Sequence, residues 1–180
     1  MSMQEHFVLL ANYNQWMNTK VYEAAGQLDA AALAQDRGAY FGSILGTLNH
    51  ILVADIIWLK RFATHPSCGE VLSEVTKLPD PIGLDQCLFD DLEALTAQRV
   101  WLDRTITDWV GRLDDADMSH VLHYHNVKRV PGQRRFSSLV LHFFNHQTHH
   151  RGQVSTLLSQ AGVDLSVTDL LALIPDQDLA

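Results

Sequence analysis

Cysteine is scarce in this chain: Cys68 and Cys87 are its only two among 180 residues. They form no CxxC pair and fall in or beside a Pro/Gly-containing stretch. That excludes a zinc knuckle and a disulfide framework and makes a reducing compartment the simpler expectation. Basic residues are also few, 13 against 21 acidic, for a formal net charge of -8. Phosphate contacts need clustered Lys and Arg, so no nucleic-acid partner is expected. Residues 128–135 are the only basic cluster, and Pro131-Gly132 inside it reads as a turn between two extended segments. Long apolar runs are missing too, since each is broken by His, Asp or Lys well short of a membrane span. The opening Met-Ser-Met-Gln-Glu-His lacks the cationic start and apolar run of a secretory signal. A cytoplasmic protein with no membrane partner is the expectation.

What is present is enough for one core. A hydrophobic content of 47% over this length fits one domain, residues 1–180, with no internal repeat. Apolar positions at Phe7, Leu10, Ala11, Met17, Val21, Ala24 and Leu28 predict a first amphipathic helix over 3–28. Residues 43–62, opened by Ser43 as N-cap and apolar nearly all round, predict a buried second helix. His65-Pro66, Pro79, Pro81 and Gly83 mark a long irregular connection over 64–83. A third helix is expected over 85–112 from the stripe Leu88, Leu92, Leu95, Leu102, Ile106, Trp109. A short extended excursion over 120–136 precedes a fourth helix at 137–160, capped by Ser137 or Ser138 and ended by Gly162. A short helix is expected at Thr168–Leu173. Tyr13, Trp16, Trp58 and Trp109 read as core aromatics. The fold class is therefore all-α, a four-helix bundle, an architecture that builds metal sites between facing helices.

Four of the 10 histidines, His142, His146, His149 and His150, lie on the fourth helix. Spacing alone allows His142 with His146, His146 with His150, or His146 with His149 to share one ion. Helix phase chooses among them. With His146 at zero and about 100° per residue, the apolar positions centre near 70°, and His150 falls at about 40°. His142 and His149 fall near -40° and -60°, on the polar flank. An inward imidazole pair with no carboxylate between suits zinc, nickel or ferrous iron and not calcium. His50, alone in the middle of a strongly apolar helix, is the best third ligand because an unpaired buried imidazole is costly. Three ligands leave one position open, the pattern of a catalytic site. His120, His123 and His125 read as a solvated turn able to reach a pocket mouth.

Asn12-Tyr13-Asn14-Gln15-Trp16-Met17-Asn18, Ser43 to His50 followed by Asp55 and Trp58, His146-Gln147-Thr148-His149-His150-Arg151-Gly152-Gln153, and Gly162 through Asp169-Leu170-Leu171 together resemble the DinB family over nearly the whole chain. The resemblance implies an up-down-down-up four-helix bundle, a homodimer, and one divalent metal, zinc or nickel, on His50, His146 and His150. It also implies chemistry with a low-molecular-weight thiol. A metal lowers the pKa of a bound thiol, so a thiol-dependent S-transferase acting on a small-molecule substrate is the leading expectation. A metal-dependent hydrolase and a non-catalytic metal-binding stress-response module are the alternatives. No Glu sits inside the His146–His150 motif to act as general base. Asn49, Tyr13 and Arg151 are the residues expected to orient or shield substrate.

Overall fold

A computed structural model describes residues 2–176, so the expected limits of 1–180 reach past it at both ends. The four long helices expected from periodicity are present. Helix α1 spans Met3–Ala25, opened by a reciprocal capping box between Ser2 and Glu5 that pairs two otherwise orphaned N–H groups. A five-residue helix that periodicity does not foretell, α2 at Ala30–Ala34, follows with Asp29 as its N-cap. Helix α3 spans Ile44–Phe62, capped by Ser43 as expected. Helix α4 is a single turn, Ser73–Thr76, inside the long connection.

Helix α5 spans Leu92–Arg112 and begins seven residues later than periodicity predicts. The reason lies on α3. The Asn49 side chain accepts from the Leu88 and Phe89 N–H groups at 2.8 and 3.0 Å and donates to the Phe89 carbonyl at 2.9 Å. Backbone groups held this way cannot join a helix ladder, and Asp91 caps the helix instead, accepting from the Ala94 N–H.

Strands β1, Val121–His125, and β2, Pro131–Arg135, form an antiparallel hairpin. This small sheet corrects the pure all-α expectation to a mostly helical protein with one two-stranded sheet. It also corrects the turn, because Pro131 and Gly132 lie in β2, paired with His125 and Tyr124. The chain reverses at 126–130. There the Asn126 side chain accepts from the Lys128 and Val130 N–H groups at 2.9 and 3.0 Å, and Arg129 takes φ 61. Asn side chains bonding their own turn supply the local closure that Pro-Gly seemed to offer.

Helix α6 spans Phe136–Gln160 and follows β2 directly. Neither expected serine caps it: the N-cap position is Arg135, with no side-chain bond, and Ser137 is buried inside the first turn. Gly162, at φ 83, ends it as expected. A 3₁₀ turn at Leu170–Leu173 stands where the last short helix was expected.

Helix α1 packs on α5 and α6, and α3 packs on α6 and α5. Their shared core centres on Phe62, with ring centroids 5.1 Å from Trp109, 5.5 Å from Phe136 and 5.8 Å from Phe143. Truncating such a ring costs roughly 3–5 kcal/mol. Trp109 is fully buried, whereas Tyr13, Trp16 and Trp58 are half-buried against the core. Among the described residues no helix is long and apolar enough to cross a membrane.

Candidate metal centre

His50 lies in the second turn of α3 among buried Leu48, Ile51, Leu52 and Val53. An imidazole there must find partners. Its Nδ1 is 2.7 Å from the Leu84 carbonyl oxygen. A carbonyl only accepts, so Nδ1 carries the proton and Nε2 presents a lone pair. His150 repeats the arrangement on α6, with Nδ1 2.7 Å from Gln153 Oε1. The two Nε2 atoms then face each other at 3.2 Å. Opposed lone pairs at that distance repel unless a cation lies between them. Two nitrogens on one tetrahedral ion, each at about 2.0–2.1 Å, stand about 3.3 Å apart. The donor geometry therefore fits a metal.

His146 completes the group. Its ring centroid is 4.4 Å from that of His150 and 5.2 Å from that of His50, and the ligand atoms of the three lie within 4.8 Å of one another. Among the described residues no carboxylate or cysteine joins them. Burial lowers the pKa of all three, most for His146, which is pushed down to about 3 by burial and then by His150 and His50. Near neutral pH the group is thus three neutral bases, the protonation state that a metal requires of imidazole.

Phe41 closes one side, stacked on His50 with centroids 3.7 Å apart and edge-on to His150. Gly46 permits this, since a Cβ there would stand 2.2 Å from the Phe41 carbonyl oxygen. On the other side a cavity of about 180 Å³ is bounded by His50, His146, Trp58, Arg61 and His142. It shares Ile57, Arg61, Asn126 and Val127 with a wider cleft of about 520 Å³ between α3, residues 80–83 and the hairpin. His123 and His125 line that cleft, at the pocket mouth, while His120 is exposed elsewhere.

His142 and His149 are exposed, as the helix phase requires, and His142 packs edge-on against Trp58. Asn49, Tyr13 and Arg151 do not take the substrate-facing roles expected of them. Asn49 holds the loop that carries Leu84, and Tyr13 donates to the Thr168 carbonyl at 2.7 Å. Arg151 turns away from its neighbour His150 into a buried network, donating to Asn14 and to Gln147 Oε1. Cys68 is buried, accepts from Trp109 Nε1 at 3.1 Å, and has its thiol pushed up to about 11 by burial, so it is no nucleophile.

Three partners were not foreseen. The Leu84 contact is a backbone carbonyl, which has no side-chain signature, and Phe41 precedes the helix that it serves. Gln153 alone had a signal, standing three residues after His150 on one helix face.

No solved structure matches the chain. "Protein DinB" of Bacillus subtilis (strain 168) is 24% identical over 167 residues, covering 93% of this chain and 92% of that protein. The model of the DinB family matches residues 1–177, a span that takes in all three histidines and both helices that carry them, and the chain belongs to that family.

Proposed function

We propose that His50, His146 and His150 hold one divalent ion, zinc or nickel foremost with iron also suited, and that the protein is a thiol-dependent S-transferase. The observation that carries the reading is the convergence of three imidazoles, two with Nδ1 fixed by oxygen acceptors and Nε2 turned inward. All three ligands are neutral, so a bound ion keeps its full charge and acts as a Lewis acid that lowers the pKa of a thiol at its open position. The chain does the rest. The Leu84 carbonyl and Gln153 hold the rings, Phe41 keeps water from the face of His50, and the cavity beside Trp58 receives the substrate. With Cys68 inert and Cys87 outside the cluster, the reacting sulfur comes from a small-molecule thiol. Around this site we infer a single domain with the up-down-down-up bundle of its family, working as a cytoplasmic homodimer with no nucleic-acid or membrane partner.

The test is to titrate cobalt-substituted protein with glutathione, bacillithiol, mycothiol and cysteine, reading the sulfur-to-metal charge-transfer band and then conjugation to a model electrophile. One thiol is expected to give both, and neither in His146→Ala. Ester or amide hydrolysis without a thiol response would replace this reading with the hydrolase. Metal binding with neither activity would leave a non-catalytic metal-binding module.

A further inference from the structure

Arg61 stands eleven residues after His50 on α3, close to the same helix face, since eleven steps of about 100° return to within about 20°. The rise puts the two Cα atoms about 16 Å apart, but long helical side chains lean back toward the N-terminus, here toward the histidines. The Arg61 guanidinium does so. It lies 4.6 Å from the centre of the Trp58 ring and 5.3 Å from that of Tyr124, two rings tilted at 56° with centroids 5.5 Å apart that flank it on two sides. It borders both the cavity beside the histidines and the wider cleft beyond.

Beyond those two rings, its charge has no carboxylate partner: among the described residues none lies within ion-pair distance of Arg61, although it is half-buried. The neighbouring groups do not supply one. Lys60 is already paired with Asp80 at 2.5 Å, and His142, whose pKa Arg61 helps to lower, adds no negative charge. A half-buried cation seated against two aromatic rings is restrained by them, and its N–H donors are left for a ligand. Among the described residues no side chain or carbonyl accepts from its N–H groups, and they are not sealed from solvent, so a ligand entering the cavity can take them.

We propose that Arg61 binds a carboxylate of the substrate or thiol, at the far end of an extended small molecule whose reacting atom sits at the three histidines. A single restrained guanidinium beside a neutralised lysine suits a planar monoanion taken in two parallel hydrogen bonds. A phosphate dianion would want more charge or a cradle of backbone N–H groups. The inference rests on the metal-site reading for the position of the reacting atom, and on Arg61 alone for the anion.

The experiment is calorimetry on the zinc-loaded protein with glutathione, its diethyl ester and S-methylglutathione, in the wild type, Arg61→Met and Arg61→Lys. The wild type is expected to bind glutathione at least about tenfold more tightly than the ester. Arg61→Met should bind the two equally, at the ester's affinity, and Arg61→Lys should fall between. Circular dichroism and the cobalt spectrum, unchanged in both variants, show that fold and metal site are intact. S-methylglutathione separates the two readings, because its anions remain while its sulfur is a poor ligand. If S-methylglutathione binds the wild type at least about tenfold more tightly than it binds Arg61→Met while no thiol perturbs the cobalt spectrum, the carboxylate site stands and the thiol reading fails. Equal affinity of acid and ester in the wild type, no measurable binding of either, or a preference that survives in Arg61→Met would overturn the proposal.

Discussion

Two polar regions share helices α3 and α6, the second reaching α1 and α5 as well, and they are built in opposite ways. At the histidine centre, three neutral bases converge with no counter-charge. About one turn further along α3 and one residue further along α6 begins a network of fixed charges. Arg99 bridges Asp55 at 2.5 Å and Asp103 at 2.8 Å, Asn14 and Asn18 donate to Asp103, and Arg151 donates to Asn14. Two carboxylates face two guanidiniums, so this network closes on itself in charge. Burial raises the Asp55 and Asp103 carboxyls, and the two arginines oppose that rise. The contrast separates structure from function. A polar cluster that neutralises itself needs no ligand, whereas one whose lone pairs converge unanswered is complete only with a cation.

The contrast is broken most severely at the ligands. His146→Ala is expected to weaken zinc binding by at least about a hundredfold, beyond the loss typical of an outer-shell partner, while the metal-free protein stays folded. Metal analysis after dialysis checks this. In the wild type, chelation should remove the linkage term, about 2.7 kcal/mol when free metal stands at a hundred times Kd, and lower the melting temperature. The variant should melt identically with and without chelator.

In the charge network the expected loss is of stability and not of metal. Arg99→Met strands two buried carboxylates and should cost about 3–5 kcal/mol in urea denaturation, with the folded fraction still binding one ion. A loss of metal with unchanged stability would mean that the roles of the two regions are exchanged.

Asn49→Ala should act on both quantities, more weakly. It frees the Leu88 and Phe89 N–H groups and loosens the loop whose Leu84 carbonyl orients His50. An affinity loss of about tenfold is expected, partly restored by Asn49→Gln, which keeps the amide donor and acceptor on a longer side chain. Calorimetric zinc titration of the three proteins reads it, and identical affinities would detach that loop from the site.

The smallest effect is on pH. The His146 imidazole in the folded, metal-free protein is held down to about 3, against an ordinary value near 6.5. Below 6.5 the unfolded chain takes up a proton that the folded one refuses, so this stability is present above 6.5 and is lost as pH falls toward 3. Between pH 6.5 and 5 the melting temperature of the metal-free wild type should fall more steeply than that of His146→Ala. Parallel slopes would show that burial does not depress this group.

These comparisons also mark what was legible in the sequence. The pair His146 and His150 was separable from His142 and His149 because helix phase is a one-dimensional property. His50 stood out because a polar side chain in an apolar helix needs a partner. Ser43 and Gly162 were readable as helix signals for the same local reason. What failed was tertiary. Nothing in the spacing of Leu88 shows that Asn49, about forty residues away, claims its N–H, so periodicity places the start of α5 too early. Pro131-Gly132 carried a turn signal that the Asn126 side chain overrode. Arg151, beside a ligand in sequence, points to the opposite region because adjacent helical residues face about 100° apart.

The most direct test of the three-histidine centre is X-ray absorption at the zinc edge on protein loaded with one equivalent of zinc and carrying no polyhistidine tag. One ion per chain with a shell of three imidazole nitrogens at about 2.0–2.1 Å, reduced in His50→Ala, is the expected result. A shell dominated by carboxylate oxygen or sulfur, or a spectrum that His50→Ala leaves unchanged, would contradict it.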